Sequence, residues 1–168
     1  MTTPYESVTP HRFPPDVDNA LRTAGWHPGR WDIRRAEYWA DELRAHISPG
    51  GHRHSVFPAA VEAWAEFGAL HLAGHGPGRD LAPPAFTIDP SHGLHLARTL
   101  GDLGRSLGTE VAPLGAELIG EGPAAVLAID AEGRTYALDH SGDYYLGVDM
   151  DAALTALITG ALPARLPS

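Results

Sequence analysis

The first quarter of the chain spaces its apolar residues as an amphipathic helix does. Val17, Leu21 and Ala24 recur at intervals of three or four residues, and Gly25 follows the last of them. Intervals of this kind predict a helix with one buried face, and glycine suits the left-handed backbone that commonly follows a last helical turn. We therefore expect Trp26 to fold back onto Leu21 as a buried anchor. The alternative is a tryptophan and an arginine that line a pocket.

The same spacing predicts four more helices. The second begins after Asp32 as N-cap, and the third begins at Pro58. The fourth begins at the pair Asp89–Pro90, and the last begins after Asp149 as N-cap. The residues expected on the buried faces are Ala36, Trp39, Ala40, Leu43 and Ile47 in the second helix, Val61, Trp64 and Ala65 in the third, Leu96, Leu100, Leu103 and Leu107 in the fourth, and Leu154, Leu157 and Ile158 in the last.

Alternating apolar residues predict strands in the remaining segments. Leu70 and Leu72 alternate with smaller or polar residues in "ALHLAG", and a second short strand follows in "AFTI". From Val111 onward, four further strands are predicted in "LGAELI", "AAVLAI", "RTYAL" and "YYLG". The turn "DAEG" joins two of them at Gly133, where a positive φ costs little. Helices first, strands later and one closing helix form an α+β order.

Length and composition fit one domain that needs no cross-links. The chain has 168 residues and no cysteine, so disulfides, thiolate zinc sites and cysteine nucleophiles are excluded. The first residues lack an apolar run behind a basic start, and no apolar run approaches eighteen residues. We expect a cytoplasmic protein that does not contact the membrane.

Acidic charge is concentrated in the last third of the chain. The net charge is −9, and all twelve basic residues are arginines. Residues 1–109 contain ten arginines and twelve acidic residues, whereas residues 110–168 contain two arginines and nine acidic residues. Binding to nucleic acid requires basic side chains, so direct binding to DNA or RNA is not expected.

Neither the histidines nor the glycine-rich loop completes a chemical motif. The chain has ten histidines, but no acidic residue stands at the spacing of a third metal ligand. The loop "GHGPGRD" lacks the lysine of a phosphate-binding loop, and its prolines argue against a dinucleotide-binding helix. We predict no metal, no cofactor and no catalytic residues. The closely spaced histidine pairs, interpreted as surface residues, are His52 with His54, His71 with His75, and His92 with His95.

A base-free cluster of acids and tyrosines follows the fifth predicted strand. One interpretation is ordinary turn and capping residues in contact with water. The other is a binding surface for a basic partner, because tyrosines ringed by charge are typical of interface hot spots. The candidate binding residues are Asp139, Asp143, Tyr144, Tyr145, Asp149 and Asp151.

Six stretches of the chain together resemble the third family of the SUKH superfamily of bacterial immunity proteins. They are "LRTAGWHPGR", "EFGAL", "FTIDP", "LGTEVAPLG", "LAIDAEGRTYAL" and "YYLGVDMDAALTALITG". One departure is Ala69, where relatives often carry a second glycine. The residues that carry the resemblance are Gly25, Trp26, Gly29, Arg30, Phe67, Gly68, Leu70, Asp130, Gly133 and Arg134.

The resemblance implies a single α+β domain over residues 12–162, with helices packed around a mixed, mostly antiparallel sheet. Residues 1–11 are then a flexible arm, and residues 163–168 a C-terminal tail. It also implies a non-enzymatic protein that binds and neutralises a cognate toxin domain, in many relatives a nuclease or nucleic-acid deaminase. Because such toxins need a basic cleft, the acidic charge suits this partner. The alternative is a regulatory protein-interaction module.

Overall fold

The helices that apolar spacing predicts all form in the computed structural model, which describes residues 12–120 and 122–167. The arm predicted for residues 1–11 lies outside the described residues. In chain order the helices are α1 (Pro15–Thr23), α2 (Ile33–Ala45), α3 (Pro58–Phe67), a 3₁₀ helix (Pro90–Leu96), α4 (Ala97–Leu107) and α5 (Met150–Thr159).

The described strands form one sheet whose spatial order follows the chain. All six pairings between neighbouring strands are antiparallel, so the predicted α+β class is confirmed and these strands include no parallel pair. The last strand lies within residues 163–168, the predicted tail. The strands are β1 (His71–Leu72), β2 (Ala85–Thr87), β3 (Val111–Ile119), β4 (Gly122–Asp130), β5 (Thr135–Asp139), β6 (Gly142–Gly147) and β7 (Ala164–Arg165).

The exit of α1 forms the predicted Schellman motif. Gly25 has a φ of 111°. The backbone N–H of Trp26 donates to the carbonyl of Leu21 at 2.9 Å, and that of Gly25 donates to Arg22 at 3.0 Å. Trp26 is only 3% exposed. The interpretation of this stretch as a helix exit with a buried anchor is therefore confirmed, and the pocket alternative is excluded.

The second predicted helix begins where expected but ends earlier. Asp32 caps α2 as expected, by accepting from the N–H of Arg35. The helix ends at Ala45, however, so Ile47 is half-exposed and forms a β-bridge with Arg53 instead of facing the core.

The fourth helix departs from the prediction in its first turns. Asp89 accepts a hydrogen bond from the N–H of Ser91, but the residues that follow wind as a 3₁₀ helix up to Leu96. A Cβ at Gly93 would lie 2.5 Å from the Cβ of Pro113 on β3. Glycine therefore permits this segment to lie close to the sheet, and the α-helix begins only at Ala97.

The sheet separates two apolar clusters. The larger cluster joins α1, α2, α3 and α5 to one face of the sheet, and the smaller joins α4 to the other face. β5 shows the alternation: Ala137 belongs to the larger cluster, whereas Tyr136 and Leu138 belong to the smaller. Two neighbouring residues of a strand therefore contribute to different faces, which matters for the paired tyrosines of β6.

Candidate interaction surface

Arg30 ties the exit of α1 to the end of α3. Its guanidinium donates to the carbonyl of Glu66 at 2.5 Å and to that of Gly68 at 2.7 Å. Gly29 beside it has a φ of 84°, in the left-handed region. Both residues belong to the stretch that resembles the SUKH family, and their contacts organise the backbone.

The junction after α3 is crowded. A Cβ at Gly68 would lie 2.2 Å from the carbonyl oxygen of Trp64 and 2.5 Å from the ring of Trp39. Its neighbours Phe67 and Leu70 are buried in the larger cluster. Between them, Ala69 has a φ of 66°, a conformation that favours glycine. The departure noted in the sequence therefore falls on a backbone position where glycine relieves strain.

Asp130 is a fully buried carboxylate at the turn between β4 and β5. It accepts from the backbone N–H groups of Glu132 and Arg134, from Nε of Arg134 at 2.8 Å, and from the hydroxyl of Tyr136 at 2.8 Å. Burial and this hydrogen bond raise the pKa of Tyr136 to about 12. The hydrogen bond and charge of Asp130 also raise the pKa of Arg134. Gly133 completes the turn with a φ of 89°.

Four of the six candidate binding residues lie where β5 turns into β6; we call Asp139, Asp143, Tyr144 and Tyr145 the hairpin end. Asp139 accepts from the N–H and hydroxyl of Ser141 and from the N–H of Gly142. These hydrogen bonds, led by that from the hydroxyl, lower the pKa of Asp139. Asp143 is half-buried, and its carbonyl accepts from the N–H of Leu166.

The two tyrosines of the hairpin end do not share a face. Tyr144 contacts the larger apolar cluster, and its hydroxyl lies 2.8 Å from that of Ser141. Tyr145 contacts the smaller cluster, with its ring 5.9 Å from that of Tyr136. Both rings are half-buried. Because β6 is paired with β5 and with β7 at these two residues, a partner that contacts one face of the sheet meets only one of the two rings.

Asp149 and Asp151 lie beyond the opposite end of β6, at the start of α5. Asp149 caps the helix by accepting from the N–H of Ala152 at 2.8 Å. Asp143 lies four residues before the end of β6 at Gly147, which is about 13 Å at the usual rise of a strand, and Asp149 follows two residues beyond that end. The structure therefore divides the sequence cluster into two groups.

Asp149 and Asp151 line a groove of about 430 Å³ together with residues from distant parts of the chain. Its acidic side chains come from α3, from the turn between β4 and β5, and from α5. Its floor includes apolar side chains of Phe67 and Ile129. The charged and aromatic residues that define this acidic groove are Arg12, Trp31, Glu62, Glu66, Glu132, Asp149 and Asp151.

Arg12 lines the acidic groove, and its guanidinium is paired with carboxylates on two sides. It donates two hydrogen bonds to Glu66, at 2.6 and 3.1 Å, and two to Asp151, at 2.7 and 2.8 Å. Its Cζ also lies 5.2 to 5.8 Å from the ring centroids of Phe13, Trp26 and Phe67. Hydrogen bonds to the two carboxylates raise the pKa of Arg12, so its charge is fixed.

Sequence spacing alone does not bring these residues together. Trp31 and Asp149 are 118 residues apart, and nothing in the spacing of Trp31, Glu132 and Asp149 predicts contact. One signal was present: Glu62 and Glu66 are four residues apart on α3, which places two carboxylates on one helix face.

The described residues show no group of three or more histidine, aspartate or glutamate side chains that could hold a metal ion. None of the helices formed by residues 12–120 and 122–167 is long and apolar enough to cross a membrane. Of the paired histidines, His54 contacts the carbonyl of Leu94 through Nε2 at 2.6 Å, and burial lowers its pKa.

The architecture of the chain and its match to a known protein family together classify the protein. The protein is an α+β domain in which an antiparallel sheet in chain order has four helices on one face. An acidic groove lies beside the aspartate-centred turn. The model of the SUKH-3 immunity protein family matches residues 13–160, so the chain belongs to that family. No curated protein and no solved structure matches it. Family membership supports an immunity function, which implies binding to a cognate toxin.

Proposed function

We propose that this protein binds a basic toxin domain, a nuclease or nucleic-acid deaminase, and neutralises it by covering its active cleft. The observation that carries the proposal is the charge of the chain: −9 overall, with two arginines against nine acidic residues in residues 110–168. A cleft that holds nucleic acid requires positive charge, and an acidic surface competes for it. We further propose that the encounter takes place in the cytoplasm, where the substrates of such toxins lie.

We propose that Asp139, Asp143, Tyr144, Tyr145, Asp149 and Asp151 form part of the toxin-binding surface. Asp143 lies near the start of β6 and Asp149 two residues past its end, so the proposed surface extends from the hairpin end to the start of α5. Its charges steer association, whereas a half-buried tyrosine ring that a partner covers completely lowers the dissociation rate.

Co-expression with the toxin domain encoded beside its gene tests the proposal. The wild-type chain should protect cells and bind the purified toxin domain. Asp143→Arg and Asp149→Arg should slow association and weaken its dependence on salt. Tyr144→Ala or Tyr145→Ala should raise the dissociation rate by a factor that corresponds to more than about 2 kcal/mol if that ring is a central anchor.

The matched control is Asp41→Arg, which reverses an exposed charge on α2, away from the proposed surface. Folding of every variant is checked first, because loss of the Asp149 cap costs about 1 kcal/mol by itself. A wild-type chain that neither binds nor protects contradicts the function. Folded variants that all behave like wild type instead move the interface, with the loop from Gly74 to Pro84 as the next region to test.

A further inference from the structure

The acidic groove has far more negative charge than its own basic residue can balance. Five carboxylates line it, and Arg12 is the one base among the described lining residues. Two of those carboxylates, Glu66 and Asp151, are engaged by Arg12. Among the described residues, Glu62 and Asp149 have no ion-pair partner, and Glu132 has only a 3.3 Å contact with Arg134. The rim of the groove therefore keeps a negative field that faces water.

Arg12 shows which chemical group the groove accommodates. Its planar guanidinium pairs with a carboxylate on each side while it lies against aromatic rings, the arrangement that distinguishes arginine from lysine. Around Arg12, the groove therefore combines carboxylates and aromatic rings at the spacing that a guanidinium needs. This seated arginine is an observation separate from the mere accumulation of acidic residues.

Trp31 adds an aromatic surface at the rim that the fold does not use. It is 54% exposed, whereas Trp26 and Trp64 are almost completely buried. Tryptophan is among the residues that most often anchor protein interfaces, and its face is the best aromatic partner for an arginine side chain. An exposed tryptophan that lines the same groove as Glu62 and Asp149 is suited to a second, external guanidinium.

We propose that the acidic groove is the anchor point for an arginine-bearing segment of the toxin, whose guanidinium stacks on Trp31 and pairs with Glu62, Glu132 or Asp149. The identity of the partner rests on the proposed function. The occupant is a basic protein segment, because the carboxylates repel phosphate groups and the aromatic rim favours a delocalised cation. The residues that contribute most to the binding free energy then lie at the α5 end of the proposed surface.

Two sets of variants with equal change in net charge test the groove. Glu62→Gln, Glu132→Gln and Asp149→Asn, combined, remove three rim charges with little change in shape, and asparagine remains a good helix N-cap. The control combines Glu37→Gln, Asp41→Asn and Glu110→Gln, three exposed acids outside the groove. Trp31→Ala removes the aromatic face at an exposed position, and Trp31→Phe restores an aromatic ring.

With the purified toxin domain, the groove triple variant and Trp31→Ala should each raise the dissociation constant by about thirtyfold or more. The control triple variant should change it by less than about threefold at 150 mM salt, since charges beyond a Debye length are screened. Trp31→Phe should regain most of the lost affinity. Equal effects of the two triple variants would overturn the groove as the anchor and would indicate general charge attraction.

A second measurement reads the groove without the toxin. The isotope-labelled protein is titrated with the blocked peptide acetyl-Gly-Arg-Gly-Arg-Gly-amide, and with the same peptide carrying citrulline in place of arginine. The arginine peptide should shift the indole N–H resonance of Trp31, and the uncharged citrulline peptide should not. Shifts confined to the hairpin end, or none at Trp31, would overturn the inference.

The two measurements separate failure of the inference from failure of the proposed function. If the wild-type chain does not bind or protect against the toxin, the proposed function fails while the peptide titration still decides whether the groove takes a guanidinium. If the wild-type chain protects and the groove variants protect equally, the function stands and the groove is not its anchor.

Discussion

The acidic groove and the hairpin end contain the same kinds of residue in opposite circumstances. At the hairpin end, Asp139 uses its carboxylate to hold its own turn, and the two tyrosines contact different apolar clusters on opposite faces of the sheet. In the groove, carboxylates from three separate elements converge on one space, and Trp31 at its rim is more than half exposed. Asp139 is engaged by its own turn, whereas in the groove Glu66 and Asp151 share one arginine from a distant segment, and Glu62 has no ion-pair partner among the described residues.

The difference follows from which hydrogen-bond donors and cations lie near each carboxylate. A turn aspartate finds backbone N–H groups two or three residues away, so its hydrogen bonds are satisfied within the turn. A carboxylate in the middle of a helix, such as Glu62, has no free backbone N–H beside it, and it remains available unless another side chain supplies a cation. In the groove, Arg12 supplies one cation for five carboxylates. Proximity in sequence is therefore a poor guide to an interaction surface. Variants in the groove and at the hairpin end test how strongly each region depends on the core.

The largest effect is expected for Trp26, whose ring supports the groove from below. It meets Phe13 edge-on at 5.3 Å and stacks with Phe67 at 6.4 Å, while its indole N–H donates to Glu66 at 3.1 Å. Trp26→Ala should lower the free energy of unfolding by about 3–5 kcal/mol, measured by chemical denaturation. Tyr144→Ala, which removes a half-buried ring at the hairpin end, should cost about 1–2 kcal/mol.

Similar losses in the free energy of unfolding for the two variants would show that the groove is no more firmly tied to the core than the hairpin end. A loss below about 1 kcal/mol for Trp26→Ala would also contradict its role as a buried anchor.

Tyr136 is the buried link between the hairpin strands and the Asp130 turn, and it gives the next largest effect. Its hydroxyl donates to a fully buried carboxylate at 2.8 Å. Tyr136→Phe should therefore cost about 1.5–3 kcal/mol, the usual range for a hydrogen bond to a charged group. Tyr145→Phe, on the neighbouring ring, is the control and should cost less.

The cost of Tyr136→Phe should also depend on pH. Folding raises the pKa of Tyr136 from 10.0 to about 12, so the unfolded chain gives up this proton first. The contribution of the neutral hydroxyl is therefore complete below pH 10 and is lost as pH rises toward 12. Unfolding curves between pH 9 and pH 12 should show the two proteins converging; a constant difference would contradict the assigned hydrogen bond.

Arg12 gives the smallest effect and the sharpest contrast between the two regions. Its ion pairs join the start of the chain to α3 and α5, but the side chain is 45% exposed, so water screens them. Arg12→Gln should cost about 1 kcal/mol, with part of the loss disappearing in 1 M salt. Arg165→Gln, on β7 beside the hairpin end, removes an exposed arginine whose side chain donates to the carbonyl of Ser141. It should cost less than about 0.5 kcal/mol, and an equal loss for both would show that Arg12 does not hold the groove together.

Sequence patterns predicted the elements well where the physical cause is local. The N-caps Asp32 and Asp149 and the glycine after α1 act on their nearest turns, and each lies where the pattern predicted it. Of the two errors, one is decided by nearby residues and the other involves a distant strand. Ile47 has helical spacing but lies past the end of α2, in a β-bridge with Arg53. The 3₁₀ segment before α4 packs Gly93 closely against β3, a contact that no local pattern contains.

The sequence by itself determined the α+β order, the turn and capping residues and the acidic charge, because each depends on neighbouring residues or on composition alone. Only the tertiary structure decided which acids share a surface. Strand alternation sends Tyr144 and Tyr145 to opposite faces, and the packing of α3 and α5 beside the Asp130 turn brings their carboxylates to one groove. Such a groove depends on side chains that are distant in sequence and meet only when the apolar faces of their helices are buried against the same sheet.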